Sequence, residues 1–408
     1  MAGVLEGIRV IDMGHVVAVP AACATLADWG AEVIKIEPLT GELARGLGPS
    51  YRMVDGKVVP MDESEVHWVF QYLNRNKKGL ALNLITDAGR DVLYKLIEKT
   101  DIFLTNYEAN TLTKLKADYE TLIRFNPSLI YGILTGYGTV GPDKDERGFD
   151  YSAGWARSGA MHMIGEPGSI PPPQRGGMMD MVTGGHMVGG VMASLLHRHK
   201  TGNGQKLEFS LYHASVWTMA HDIQSALAGE PNPKHDRTKP RNPLFNSYRT
   251  KDDKWFWLAM LQPDPSWPDF CQAIERPELE EEPRFNSLPA RWENSEELVR
   301  IIDDILITKT RDEWERIFRD NNVIYGRVAS LEDVITDPQA IANDFYVDLH
   351  HPDTDMKVLN SPVKFCQNPA SVRAPAPEVG QHSEEILLDL GYSWDDITQL
   401  KDQQVILP

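Results

Sequence analysis

Short apolar runs alternate with single helical segments through the first third of the chain, and that alternation restricts the fold more than any other feature. Ile8–Met13 reads as a strand, followed by a loop over Gly14–Val19. Pro20 suits the first turn of a helix that runs to about Trp29, where Gly30 can end it. Ala31–Glu37 is the next strand, then Leu80–Leu84, a helix from Asp87 through Lys99, and a strand at Ile102–Asn106. A shorter helix at Tyr119–Phe125 precedes a strand that ends at Gly136. Strands separated by one helix each need crossover connections, so the expected fold class is α/β with a parallel sheet.

The pattern changes further along. Gly136 to Met179 is rich in Gly and Pro, and loops of that length in a compact domain are functional or disordered. KLEFSLY reads as a strand and Ala214–Leu227 as a helix; Phe245–Arg249 and Lys254–Leu261 read as a hairpin. Thr310–Glu313 and Ser330–Asp333 resemble capping boxes. The expected organisation is a large domain over 1–210, completed by 338–408, and a smaller α+β domain over 211–337. In the C-terminal part, Ser383 starts a helix that Gly391 closes.

The run PQRGGMMDMVTGGHMVGGVMASLLHRHKTGNG, Pro173 to Gly204, carries the strongest chemical signal. It reads as a loop delivering Asp180 to a helix N-terminus, where orphan N–H groups and the macrodipole favour a charged carboxylate. Such an ionised carboxylate in an open, Gly-rich spot suits nucleophilic attack on an acyl carbon; an ordinary Asp N-cap has the same local pattern. Gly184, Gly185, Gly189 and Gly190 each weaken a helix by roughly 1 kcal/mol, which is tolerated where a backbone or ligand comes close.

Charge and cysteine content exclude several classes. A formal net charge of −18 argues against a nucleic-acid or anionic-membrane binder. Cys23, Cys271 and Cys366 are few and widely spaced, pointing to reduced thiols, and the opening residues lack a secretory pattern, so the cytoplasm is expected. His197/His199 and His350/His351 do not have the spacing of a helical metal site.

Other candidates concern anion binding. The loop Gly14-His15-Val16-Val17-Ala18 stands where a dinucleotide fold has three glycines, but it has one, so a nicotinamide oxidoreductase is disfavoured. Its helix N-terminus can still receive part of a ligand. Asn74, Arg75, Asn76, Lys77 and Lys78 form a cationic island before a strand, and Lys114 and Lys116 follow Asn106-Tyr107. These rank above Lys234, His235, Arg237, Lys239 and Arg241, which read as a solvated loop. Met161, Met163, Met178, Met179 and Met181 can shape an acyl pocket or fill core.

Taken together, IRVIDMGHVVAVPAACATLADWGAEVIKIEP, LNRNKKGLALNL, DIFLTNY, GYGTVGPDKDERGFDYSA and the Asp180 run resemble the class III CoA-transferases, the formyl-CoA transferase/carnitine CoA-transferase group. The similarity extends from the first strand to about Ala214 and continues more weakly to LGYSWDDI. The resemblance implies a Rossmann-like large domain, a small domain, and an interlocked ring-like homodimer. It implies CoA thioesters and a carboxylic acid as substrates with no tightly bound cofactor, which agrees with the absence of a metal motif, and the acidic charge leaves no nucleic-acid or membrane partner expected. Asp180 would be the catalytic aspartate, forming a mixed anhydride with the donor acyl group. CoA contacts would fall to His15, Val16 and Ala18, to Asn106, Tyr107 and Lys114, and to Gly136 and Tyr137.

Departures from the family pattern matter. An Arg often present after the second strand is Pro38, which shifts the expected phosphate contact to Arg45 or a nearby Lys. Val17 replaces a Gln, and RNPLFNSY lacks a glycine-only loop, both arguing against formyl or oxalate specificity. The GYGxxGPDKDxxGFDY stretch looks closest to CoA-transferases for 2-hydroxy acids such as phenyllactate or 2-hydroxyisocaproate. The related 2-methylacyl-CoA racemases use a His where this chain has Phe149, so that alternative lacks its base. A catalytically silent CoA-binding subunit is the remaining alternative.

Overall fold

A computed structural model describes residues 3–47, 51–54, 56–60 and 66–408. The chain divides into two compact units. One comprises 1–161, 173–230 and 341–408, the other 162–172 and 231–340. Residues 211–230, expected in the small domain, thus group with the large one. They do so because Leu211 is buried in the large unit's core and the helix it starts follows directly from a strand of the main sheet.

Six parallel strands make that sheet: β1 (Arg9–Met13), β2 (Glu32–Glu37), β3 (Lys77–Ala81), β4 (Ile102–Thr105), β5 (Ile130–Thr135) and β6 (Gln205–Ser210). Their spatial order is β3-β2-β1-β4-β5-β6, with the reversal between β1 and β4 that places a ligand crevice at the strand C-terminal ends. Side-chain alternation covers both faces. Ile11, Ile34, Leu80 and Phe103 face one apolar cluster with the C-terminal residues Ile386, Leu387, Ile397 and Leu400. Val10, Val33, Ile102 and Leu104 face the other, shared with helix α1 (Ala18–Asp28).

β3 begins at Lys77 rather than at the expected Leu80, because its lysines belong to the sheet: Lys77 is wholly buried against Asp12 of β1. The expected helix over Ala214–Leu227 is two helices, Leu211–Thr218 and Ala220–Leu227, parted at Met219. The other unit has a three-stranded antiparallel sheet, Phe245–Arg249, Trp255–Ala259 and Tyr325–Val328, over a core of Tyr248, Phe256, Trp267, Phe270 and Trp314. Both expected capping boxes are present, at Thr310 with Glu313 and at Ser330 with Asp333.

Helix α2 (Trp68–Asn74) packs beside α1, and the 24-residue helix α3 (Met178–Thr201) lies along α1. Gly184 makes the second contact possible: a Cβ there would stand 3.0 Å from the Ala18 carbonyl oxygen. Gly190 likewise faces the Phe209 ring, whereas Gly185 and Gly189 meet nothing within 4 Å. Close packing thus accounts for two of the four glycines. Gly184→Val is expected to destabilise the protein by about 1–3 kcal/mol in chemical denaturation, since it must push α3 off α1.

Candidate active site

The loop between β1 and α1 is held by buried charge. Asp12 accepts from the Gly14 N–H (2.9 Å) and from Lys77 Nζ (2.7 Å). Lys35 Nζ lies 2.7 Å from a Glu42 oxygen and donates to the Gly14 carbonyl at 3.0 Å. The second Glu42 oxygen accepts from the Val16 N–H at 2.9 Å. Burial raises the Asp12 pKa, but Lys35 and Lys77 outweigh it and hold it below the usual carboxylate value. Val16 has φ +67°, the left-handed region that a β-branched residue rarely enters.

Across the sheet, Asn106 follows β4 and grips the same loop. It accepts from the His15 N–H at 3.0 Å and donates to the His15 carbonyl at 2.9 Å. The His15 and Tyr107 rings meet edge to face at 5.2 Å. Burial pushes the His15 imidazole below its ordinary pKa, which favours the neutral ring.

Asp180 stands in the first turn of α3, 8% exposed. It does not cap the helix. That role belongs to Asp150, which begins a seven-residue π-helical turn, Asp150–Ala156. One Asp150 oxygen accepts from the Met179 and Asp180 N–H groups at 2.8 and 2.9 Å. The other accepts from the Gly177 N–H at 2.9 Å and from the Gln174 side-chain amide. Gly177, at φ +76°, supplies the left-handed turn that brings its N–H into this set. Among the described residues, no hydrogen bond reaches the Asp180 carboxyl. Burial, and then the neighbouring Asp150 charge, raise its pKa to about 7. The expectation of a carboxylate kept ionised by helix N–H groups is corrected: those groups are taken by Asp150.

Around Asp180, a Cβ on Gly177 would lie 3.5 Å from Val17, and Val16, Val17, Val69 and Tyr72 form one apolar cluster. The Tyr72 phenol is raised in pKa by burial and then by the Asp180 charge. Met178 and Met181 are exposed, whereas Met179 fills a small core with Trp155. Gly136 touches Gly148, where a Cβ would come within 2.7 Å of its Cα, and the Tyr137 ring carries the Arg157 guanidinium at 4.7 Å. Tyr137, Ser210 and Tyr212 line a cleft of about 420 Å³ at the ends of β5 and β6.

His15, Asn106 and Tyr107 are therefore in mutual contact, with Val16 and Ala18 in the same turn. Lys114 is exposed in the last turn of Ala109–Leu115, and among the described residues it makes no ion pair. The cationic island does not supply free charge. Arg75 pairs with Asp28, Lys77 with Asp12, and Lys78 with Glu32 and Glu385, while Asn76 bonds Asp28. Arg45, the expected substitute for the missing arginine, forks onto Glu37 with two 2.7 Å bonds. The 234–241 run is also engaged: Arg237 pairs with Asp303 and Lys239 with Glu296. Sequence reasoning missed Glu42, Lys35, Tyr72 and Gln174, and saw Asp150 only as part of the GFD pattern. The bonds that give Asp150 its role span 24–30 residues and have no local signature.

The chain matches the family described as CoA-transferase family III over residues 5–383. It is 34% identical to an (R)-2-hydroxy-4-methylpentanoate CoA-transferase of Clostridioides difficile, over 98% of this chain and 99% of the relative. It is 33% identical to a cinnamoyl-CoA:phenyllactate CoA-transferase of Clostridium sporogenes, over 98% and 97%. The crystal structure of a CaiB/BaiF family protein from Brucella suis superposes with a TM-score of 0.82 at 25% identity, covering 96% of this chain and 100% of that one. The chain belongs to CoA-transferase family III and is an enzyme of that class, acting on acyl-CoA and carboxylate substrates.

The raised Asp180 pKa has a measurable cost in stability. Between about pH 3.8 and 7 the unfolded state releases this proton while the folded state retains it, so stability falls as pH rises through that window. Asp180→Asn removes the penalty. It should stabilise the protein at pH 8 by on the order of 1–4 kcal/mol and by nothing at pH 4, read from denaturation midpoints.

Proposed function

We propose that this CoA-transferase moves CoA from an acyl-CoA to a medium-sized 2-hydroxy, aromatic or branched carboxylic acid, with Asp180 as nucleophile. The observation that carries the reading is a buried carboxyl without a hydrogen-bond donor, at the mouth of a loop held in a strained shape. A carboxylate that keeps its lone pairs free of donors is a stronger nucleophile than a solvated one. Its pKa of about 7 leaves a large ionised fraction at neutral pH.

An Asp180 oxygen attacks the thioester carbonyl, the C–S bond breaks, and its electron pair leaves on the CoA sulfur. The product is an aspartyl mixed anhydride. The thiolate then attacks the aspartyl carbonyl, releasing the donor acid and leaving an aspartyl-CoA thioester. The acceptor carboxylate displaces the thiolate, which attacks the acceptor acyl carbon and frees Asp180. Each step exchanges one acyl bond for another, so the sequence needs no oxidant or reductant.

The CoA part would lie along His15, Val16, Ala18, Asn106, Tyr107, Lys114, Gly136 and Tyr137. This follows the β1, β4 and β5 strand ends, where an open α/β sheet places ligands. The substrate class rests on the two bacterial relatives named for 2-hydroxy-4-methylpentanoate and phenyllactate, and on the apolar Val16, Val17, Val69 and Tyr72 beside Asp180. Phe149, 60% exposed, offers no ring nitrogen for the proton transfers of a racemase. The free thiols Cys23, Cys271 and Cys366 agree with action in the cytoplasm.

A second copy of the chain completes the reading. Helix Ala220–Leu227 buries none of its residues, and Trp217 and Leu227 are 66% and 75% exposed. Apolar surface of this kind is characteristic of an interface.

Three outcomes are expected. Wild-type protein given phenyllactoyl-CoA or 2-hydroxyisocaproyl-CoA, then hydroxylamine, should carry a hydroxamate at Asp180 by peptide mass spectrometry. Asp180→Asn should lose it together with at least about 10⁴-fold in CoA transfer; an unlabelled Asp180 in active protein would overturn the reading. In solution, light scattering should give twice 45.9 kDa.

A further inference from the structure

Two buried carboxyl groups meet at the start of α3, and the transfer chemistry uses only one of them. Asp150 is buried, yet its two oxygens accept four hydrogen bonds, from Gly177, Met179, Asp180 and Gln174. An aspartate in the first turn of a helix, such as Asp180, ordinarily folds back onto the free N–H groups of its own helix. Here those groups are already taken. Gln174 secures the arrangement from outside: it is buried, and its amide donates to Asp150 while its own oxygen has no partner.

We propose that Asp150 is a positioning residue for the nucleophile, occupying the helix N–H groups so that the Asp180 carboxyl stays free of hydrogen bonds for the thioester. The inference rests on the reading of Asp180 as nucleophile. It also explains why the helix is capped by a side chain remote in sequence: a cap supplied from its own first turn would be the nucleophile itself.

The same juxtaposition sets the pH response. Among the described residues, the titratable groups facing Asp180 are Asp150 from the π-helical turn and Tyr72 from α2. α1 and the Val17 that precedes it present Val17, Ala18 and Ala21 to this part of α3, none of them titratable. Among the described residues, Asp150 is therefore the charge whose removal eases Asp180 ionisation.

The test uses the full-length enzyme and Asp150→Asn, which keeps the shape and the oxygen that accepts from Met179 and Asp180 but drops the charge and the bonds donated by Gly177 and the Gln174 amide. The expected result is a kcat lower by about 100-fold with KM for acyl-CoA within about 3-fold of wild type, since misplacement of a reacting group acts on the chemical step. The acid limb of kcat/KM should move from about 7 to lower pH. A residue that merely supports the fold would lower activity and leave the limb in place. Gln174→Met leaves the cap but removes its outside support, and should lower kcat several-fold at unchanged KM. Wild-type kcat with an unmoved acid limb in Asp150→Asn would overturn the proposal. If that variant fails to fold, an unchanged kcat in Gln174→Met overturns it. Hydroxylamine trapping of the wild type separates the two readings: absence of an Asp180 adduct sinks the nucleophile assignment, whereas an adduct with unaffected variants sinks only the role of Asp150.

Discussion

Everything at the active end of the sheet depends on the buried charges of Asp12, Lys35, Lys77 and Glu42, none of which reaches water to a useful extent. Charges so deep gain little net stability, because desolvation offsets most of their attraction. Their value is directional. Asp12 and Lys35 bind both ends of the Gly14 peptide, and Glu42 binds the next but one, so three strands and a 3-10 turn agree on one loop shape. That agreement sustains a backbone at Val16 that costs on the order of 1–3 kcal/mol.

Asp180 and Asp150 show how one residue type serves opposite ends. Both are buried, and burial raises the pKa of each. Asp150 is then satisfied by N–H donors, which makes it a good ligand for the helix. Asp180 keeps its lone pairs unengaged. Separation of two carboxylates by hydrogen bonding is a general way to push their properties apart, and the proposed roles of this pair would rest on it.

The sheet was legible because each strand announces itself locally, as the apolar runs of β1, β2, β4 and β5 do. The turn into the helix that carries Asp180 was legible too, from glycines and prolines, whereas the N–H donors expected for its carboxylate belong to Asp150. The cations were not. Arg45, Arg75, Lys77 and Lys78 look in sequence like a phosphate cradle, and their carboxylate partners lie 8 to 65 residues away on other elements, or further for Glu385. Charge seen along a chain says how many ionic groups exist; only the fold decides which are already neutralised. Helix lengths failed for a related reason: the break at Met219 has no proline or glycine to mark it.

The cap on α3 also closes a loop. Between Asp150 and Gly177, 27 positions apart, the chain leaves the large unit after Met161 and rejoins it at Pro173. Hydrogen bonds at the base of that excursion act as a noncovalent staple, and the entropy of closing a flexible loop grows only logarithmically with its length. Doubling such a segment costs about 0.6 kcal/mol, far less than loosening its base. Residues 162–172 group with the other unit, where Glu166 accepts from the Arg237 N–H, so tolerance to changes in length falls to the stretches on either side of them, provided the two ends still meet at one carboxylate.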